Sequence, residues 1–157
     1  MKIIWLGKGG MLWKELKAVL NNMLRGRACR DVLVIHLGDN DLVREKGLAM
    51  IKAMKVDLKE INRKWAGTFV IWSEWIARRE ARGAVKPAAI DKVRRKVNNE
   101  MRGFCRENNF GRIAHPELRY EEARFFRTDG VHLSTIGMEM YILQIKEVVA
   151  GALGVKL

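Results

Sequence analysis

The sequence predicts an α/β protein, a three-layer α/β/α arrangement in which one parallel sheet lies between layers of helices. Three observations carry that prediction. Short apolar runs alternate with amphipathic helical stripes along the 157 residues, the order that right-handed strand–helix–strand crossovers require. Two of the runs, residues 32–37 and 68–72, are apolar but for one residue each, His36 and Thr68, as strands covered on both faces nearly are. Polar residues follow these runs, at the carboxyl ends of strands where open α/β sheets bind their ligands.

Residues 2–6 (Lys-Ile-Ile-Trp-Leu) read as the first strand, stopped by Gly7-Lys8-Gly9-Gly10, where glycines let the backbone turn sharply into a helix. No Gly-Lys-Ser/Thr closes a phosphate loop there, and a tight turn is the plain alternative. A helix over 11–24 follows, with Leu12, Leu16, Val19, Leu20 and Met23 as its inward stripe. After a basic connector at 25–30 comes the strand 31–37, whose His36 reads as packed core, and then the turn Gly38-Asp39-Asn40-Asp41.

The helix 48–65 places Ile51, Met54, Leu58, Ile61 and Trp65 on one face and a row of Lys and Arg on the other. The strand 68–73 brings Ser73 and Glu74 to its carboxyl end, where they line the predicted cleft. No glycine elbow flanks Ser73, so it is not read as a nucleophile. Residues 78–106 carry ten Lys or Arg against three acids, and from residue 88 to 108 they read as a helix with Ile90, Val93, Val97, Met101 and Phe104 inward. A short strand over 110–114 follows. His115 beyond it has no partner at metal-ligand spacing. The last helix, 134–151, takes Ser134 as its N-cap and turns Met138, Tyr141, Ile142, Ile145, Val148 and Val149 inward.

One domain spanning 1–157 is expected from the length. The surplus of 30 Lys and Arg over 18 Asp and Glu, a net +12, marks an anionic partner such as nucleic acid or an acidic surface, with a merely solvated basic surface as the alternative. The strongest footprint includes Arg78, Arg79, Arg94, Arg95 and Lys96. Aromatic interleaving of the kind single-strand platforms show is absent from that stretch. Two cysteines, Cys29 and Cys105, form no disulfide framework or metal set, which with the lack of a signal peptide or membrane span points to a cytoplasmic or nuclear protein. No metal or cofactor is expected.

Two blocks far apart in the chain carry a resemblance. The turn after the second strand, with Asn40 and Asp41, resembles the Gly-x-Asn-Asp block of the SGNH (GDSL-type) hydrolase superfamily, and Asp129-Gly130-Val131-His132 resembles its last block. Read together with Trp5-Leu6-Gly7-Lys8-Gly9-Gly10-Met11, they are similar to the SGNH-type domains of vertebrate mobile-element-derived proteins. The resemblance implies a flavodoxin-like sheet and acyl-ester hydrolysis, with His132 as general base and Asp129 orienting its imidazole. It implies Asn40 and the backbone N–H of Gly7 as oxyanion donors, with Asp41 bracing the loop by hydrogen bonds to backbone N–H groups.

The block that supplies the nucleophile, a strand followed by Gly-x-Ser, does not occur in the 157 residues. The expectation is therefore a domain truncated at its N-terminus, without the family's first strand, either as a fragment of a longer reading frame or as a degenerate relative. Residues 2–6 and 31–37 would then pair with each other, accept a strand from another chain, or leave an edge unpaired, which favours self-association. Two functions follow: an esterase domain acting on a small acyl ester and inactive as written, or a non-catalytic basic scaffold that binds nucleic acid.

Overall fold

The computed structural model describes residues 2–26, 31–79 and 86–156. At its centre three parallel strands, β1 (Val32–Ile35), β2 (Phe69–Ser73) and β3 (Gly111–Ile113), lie in the order β1-β2-β3. Four helices surround them: α1 (Leu16–Met23), entered through a 3-10 turn at Trp13–Glu15, α2 (Gly47–Lys64), α3 (Pro87–Glu107) and α4 (Thr135–Leu153). Each has the boundaries that periodicity predicts to within a few residues, and Pro87 opens α3 at the position where a missing N–H costs nothing.

The side-chain alternation of β2 divides the core. Val70 and Trp72 pack with Met54, Leu58, Ile61, Val97 and Met101 from α2 and α3, while Ile71 faces the other way onto Ile145 and Val149 of α4. This is the predicted three-layer arrangement.

Two expectations fail. Residues 2–6 are not a strand: they have no regular structure and are mostly exposed, with Ile4, Trp5 and Leu6 each about half exposed (46%, 54% and 45%). A β-rich run becomes a strand only where a neighbour offers its hydrogen-bonding edge, and among the described residues β1 pairs on one side only, with β2. Met138, assigned inward, is exposed. Ile136 and Leu143, on nearly the opposite side of the helix, are exposed as well, so α4 is apolar beyond the stripe that meets the sheet and its inward face cannot be read from periodicity alone.

Ser134 caps α4 as expected. Its hydroxyl accepts from Gly137 N–H at 3.1 Å and donates to the Arg124 carbonyl at 2.6 Å. A Cβ at Gly137 would stand 2.1 Å from the Phe125 carbonyl oxygen, so the first turn of α4 rests directly on the segment leading to Asp129. Cys105 is buried and loss of hydration pushes its thiol pKa up to about 11, which leaves it protonated at neutral pH. Cys29, residues 27–30 of the basic connector, and Glu80 and Arg82 of the basic stretch lie outside the described residues. No helix among those described is long and apolar enough to cross a membrane.

Candidate active site

The turn after β1 is built on Gly38, whose φ of +108° favours glycine. The fully buried Trp75 indole lies against it: a Cβ on Gly38 would be 2.5 Å from Trp75 Cζ2, and the indole N–H donates to the Leu37 carbonyl at 2.7 Å. Two neighbours of Gly38 reach back to the start of the chain. Asn40 Nδ2 donates to the Met11 carbonyl at 3.2 Å, and the buried Asp41 carboxylate accepts the Trp13 backbone N–H at 2.9 Å. Asp41 thus braces a segment 28 residues away. Burial raises its pKa, opposed by that N–H.

The second block is a self-contained turn. Asp129 Oδ1 accepts the backbone N–H groups of Val131 (2.8 Å) and His132 (2.9 Å), and Asp129 Oδ2 accepts His132 Nδ1–H at 2.7 Å. These three bonds, the His132 N–H first, hold the Asp129 carboxyl well below the usual carboxylate range. With Nδ1 occupied, Nε2 is the nitrogen free to take a proton, and the imidazole is open to solvent.

The loop after β2 joins the two blocks. Arg78 Nη2 donates to Asp39 Oδ2 at 2.9 Å and to Asn40 Oδ1 at 3.2 Å, while the backbone N–H of Arg79 donates to the Gly130 carbonyl at 2.7 Å. Arg78 also fixes the orientation of the Asn40 amide, because only Oδ1 can accept from a guanidinium. Asn40 keeps one Nδ2 hydrogen beyond the one given to Met11. Both arginines were read as part of an anion-binding surface. Arg78 is instead largely buried (12% exposed) and paired, the natural outcome where a carboxylate and an amide oxygen share one pocket.

Ser73 and Glu74 lie at the end of β2 as predicted, but both are buried. Glu74 accepts from Arg102 and Arg112. The Ser73 hydroxyl is the centre of a polar network that periodicity did not reveal. His115 Nδ1–H donates to Gln144 Oε1 at 2.6 Å, leaving Nε2 to accept the Ser73 proton at 2.7 Å. Ser73 Oγ in turn accepts from His36 Nδ1–H at 2.8 Å and is bonded by the Tyr141 hydroxyl. Gln144 passes the chain on to Glu117. One donor and two acceptor positions are all a serine has, so Ser73 is saturated. His36 is thus packed, as expected, and both histidines are bonded. The available signal was position: all three residues stand at the ends of adjacent parallel strands.

Burial holds the His36 pKa down, to about 4, and lowers that of His115. Both imidazoles are neutral in the folded chain and titrate near 6.5 once unfolded. Their contribution is therefore fully present above about pH 6.5 and is lost as the pH falls toward 4. Denaturant titrations should show stability lower at pH 5 than at pH 7.5 by on the order of 1–3 kcal/mol, and His36→Asn, which keeps a donor near the Nδ1 position, should flatten the dependence. Asp41, whose raised pKa favours the fold toward low pH, acts in the opposite sense, so the comparison is made in an Asp41→Asn background, where equal stabilities at the two pH values would mean that the histidines are not buried as neutral groups.

The remaining predicted residues lie apart from the His–Asp turn. Gly7 is exposed, with open space on its Cβ side. Arg94 is tied to Asp91 and to the Trp75 carbonyl, Arg95 pairs with Asp91 while largely exposed, and Lys96 is exposed on α3. No cluster of His, Cys, Asp and Glu among the described residues would hold a metal ion.

Solved structures share this architecture. A GDSL-like lipase from Bacteroides thetaiotaomicron superposes with a TM-score of 0.74 at 15% identity, covering 91% of this chain and 73% of its own. The chain has the fold of the GDSL-like hydrolases. The esterase domain of the ORF1 protein of a zebrafish retrotransposon shares the GDSL-like fold at a TM-score of 0.56 and 21% identity, over 89% of this chain and 83% of its own. A carbohydrate acetylesterase family member from Sinorhizobium meliloti gives 0.68 and 20%, over 88% and 68%. No family model and no curated protein matches the sequence. At these identities the GDSL-like likeness is one of fold.

Proposed function

We propose that this chain carries the general-base and oxyanion half of an acyl-ester hydrolase. In this reading His132 takes the proton through Nε2, Asp129 holds the imidazole in that tautomer and stabilises its charged form, and Asn40 offers its remaining amide hydrogen to the developing oxyanion. Arg78 is the positioning residue for Asn40. The observation that carries the reading is the adjacency of Arg78 and Arg79, which tie the Asn40 amide and the Asp129–His132 turn to one loop. The backbone N–H of Gly7 is the second oxyanion donor in this reading.

The nucleophile is what the 157 residues do not supply. Their two serines are Ser73, buried and saturated, and Ser134, committed to the N-cap of α4. The chain as written should hydrolyse p-nitrophenyl acetate no faster than buffer with free imidazole. Turnover that disappears with Ser73→Ala and survives His132→Ala would place the nucleophile at Ser73 and overturn the assignment.

A further inference from the structure

A pocket of about 350 Å³ opens at the carboxyl ends of β2 and β3, on the Glu74–Ala77 side of the loop whose next two residues serve the candidate active site. One wall is a single face of α3, carrying Asp91, Arg95 and Arg102. The other is the segment after β3, with Arg119 and Tyr120. None of the His132, Asp129 or Asn40 side chains lines it.

Two of its three carboxylates are over-matched. Glu74 is held by Arg102 at 3.3 Å and Arg112 at 2.6 Å, and Asp91 by Arg94 at 2.8 Å and Arg95 at 3.0 Å. Each cluster of two guanidinium groups on one carboxylate keeps a net positive charge, while Glu121 in the same lining balances Arg119. A guanidinium has five N–H donors in a planar fork. Arg102 and Arg95 use only some of theirs on these carboxylates, and their side chains are 53% and 66% exposed. Spare planar donors with excess positive charge suit a group with several acceptor oxygens, which is the chemistry of a phosphate. Tyr120, 46% exposed, adds a flat ring at the same site. The volume is at the lower end of small-molecule sites and exceeds what a bare ion needs.

We propose that this pocket binds a nucleotide unit, with the phosphate on Arg95, Arg102 and Arg119 and the base against Tyr120. The unit can come from a free nucleotide or from a single strand of nucleic acid. This inference is independent of the esterase reading, since no residue is shared with it.

The test uses the full chain in about 0.1 M salt and two probes: AMP by calorimetry, and a fluorescein-labelled single-stranded RNA of about 12 nucleotides by anisotropy. Variants at exposed positions keep the fold intact, checked by circular dichroism. Arg95→Glu with Arg119→Glu should weaken binding roughly tenfold or more, and Tyr120→Ala roughly fivefold or more. Lys52→Glu with Lys59→Glu, the same charge change on α2, should cost less than about threefold. Saturable AMP binding lost in Tyr120→Ala identifies a free nucleotide as the source. Binding of the RNA alone, with the same pattern of variants, identifies a strand. An equal loss in the α2 control, equal competition by poly-glutamate, or binding of neither probe overturns the proposal.

Discussion

Joining a β-strand that ends in Gly-x-Ser to the N-terminus of this chain should create hydrolysis of short acyl esters, and His132→Ala should abolish it. A positioned general base contributes roughly 10²–10⁴-fold, and loss of an oxyanion donor roughly 10²–10³-fold, so Asn40→Ala in the joined protein should also remove most of the rate. The first partner of the strand would be the open side of β1. Each backbone group newly paired there contributes roughly 0.5–1.5 kcal/mol, so the joined protein should also melt higher than the chain as written. If Arg78 acts through Asn40, Arg78→Ala should lower kcat in the joined protein by no more than Asn40→Ala does, and the two substitutions should not add. A gain in melting temperature with no gain in turnover would separate the two consequences and sink the assignment of Asn40 and His132, while leaving the fold untouched.

Gly38→Ala should be among the most damaging single substitutions in the molecule. Any side chain at φ +108° is strained by roughly 1–3 kcal/mol, and the added Cβ would stand 2.5 Å from the Trp75 ring. Overpacking of that kind costs a further 1–3 kcal/mol or so. The sum, about 2–6 kcal/mol against a total stability of roughly 5–15 kcal/mol, corresponds to a fall in melting temperature of roughly 5–20 °C. Trp75 is also bonded to the Leu37 carbonyl, next to Gly38, and to Asn98 of α3, so displacing its ring breaks contacts in the core. Gly10→Ala is the matched control. It has φ +67° and open space around it, so it carries the backbone strain without the collision, and a thermal melt that places the two variants together would remove Trp75 from the explanation.

What was legible in the sequence was set by periodicity and by local turns. The stripes of α2 and α3 have strongly charged outer faces, so the inward residues stand out, from Ile51 through Ile61 and from Ile90 through Phe104. The bonding of Asp129 to His132 depends on residues three apart, and sequence spacing reports that directly. Residues 2–6 misled because β-propensity describes fit to a pleated neighbour and says nothing about whether one is present. The anchoring of Asn40 by Arg78 spans 38 residues, and the Ser73 network combines strand ends with a glutamine from the middle of α4. No local pattern encodes such meetings. They follow from strand register, which emerges only once the sheet has formed.

The saturation of Ser73 limits what substitutions around it can achieve. Both serines of the 157 residues are engaged by the fold. Releasing Ser73 leaves two imidazoles and a phenol searching for partners in a dry interior, and releasing Ser134 uncaps the helix that closes one face of the sheet. Substitutions that free either hydroxyl therefore lower the stability of the fold before they can expose a new reactive group.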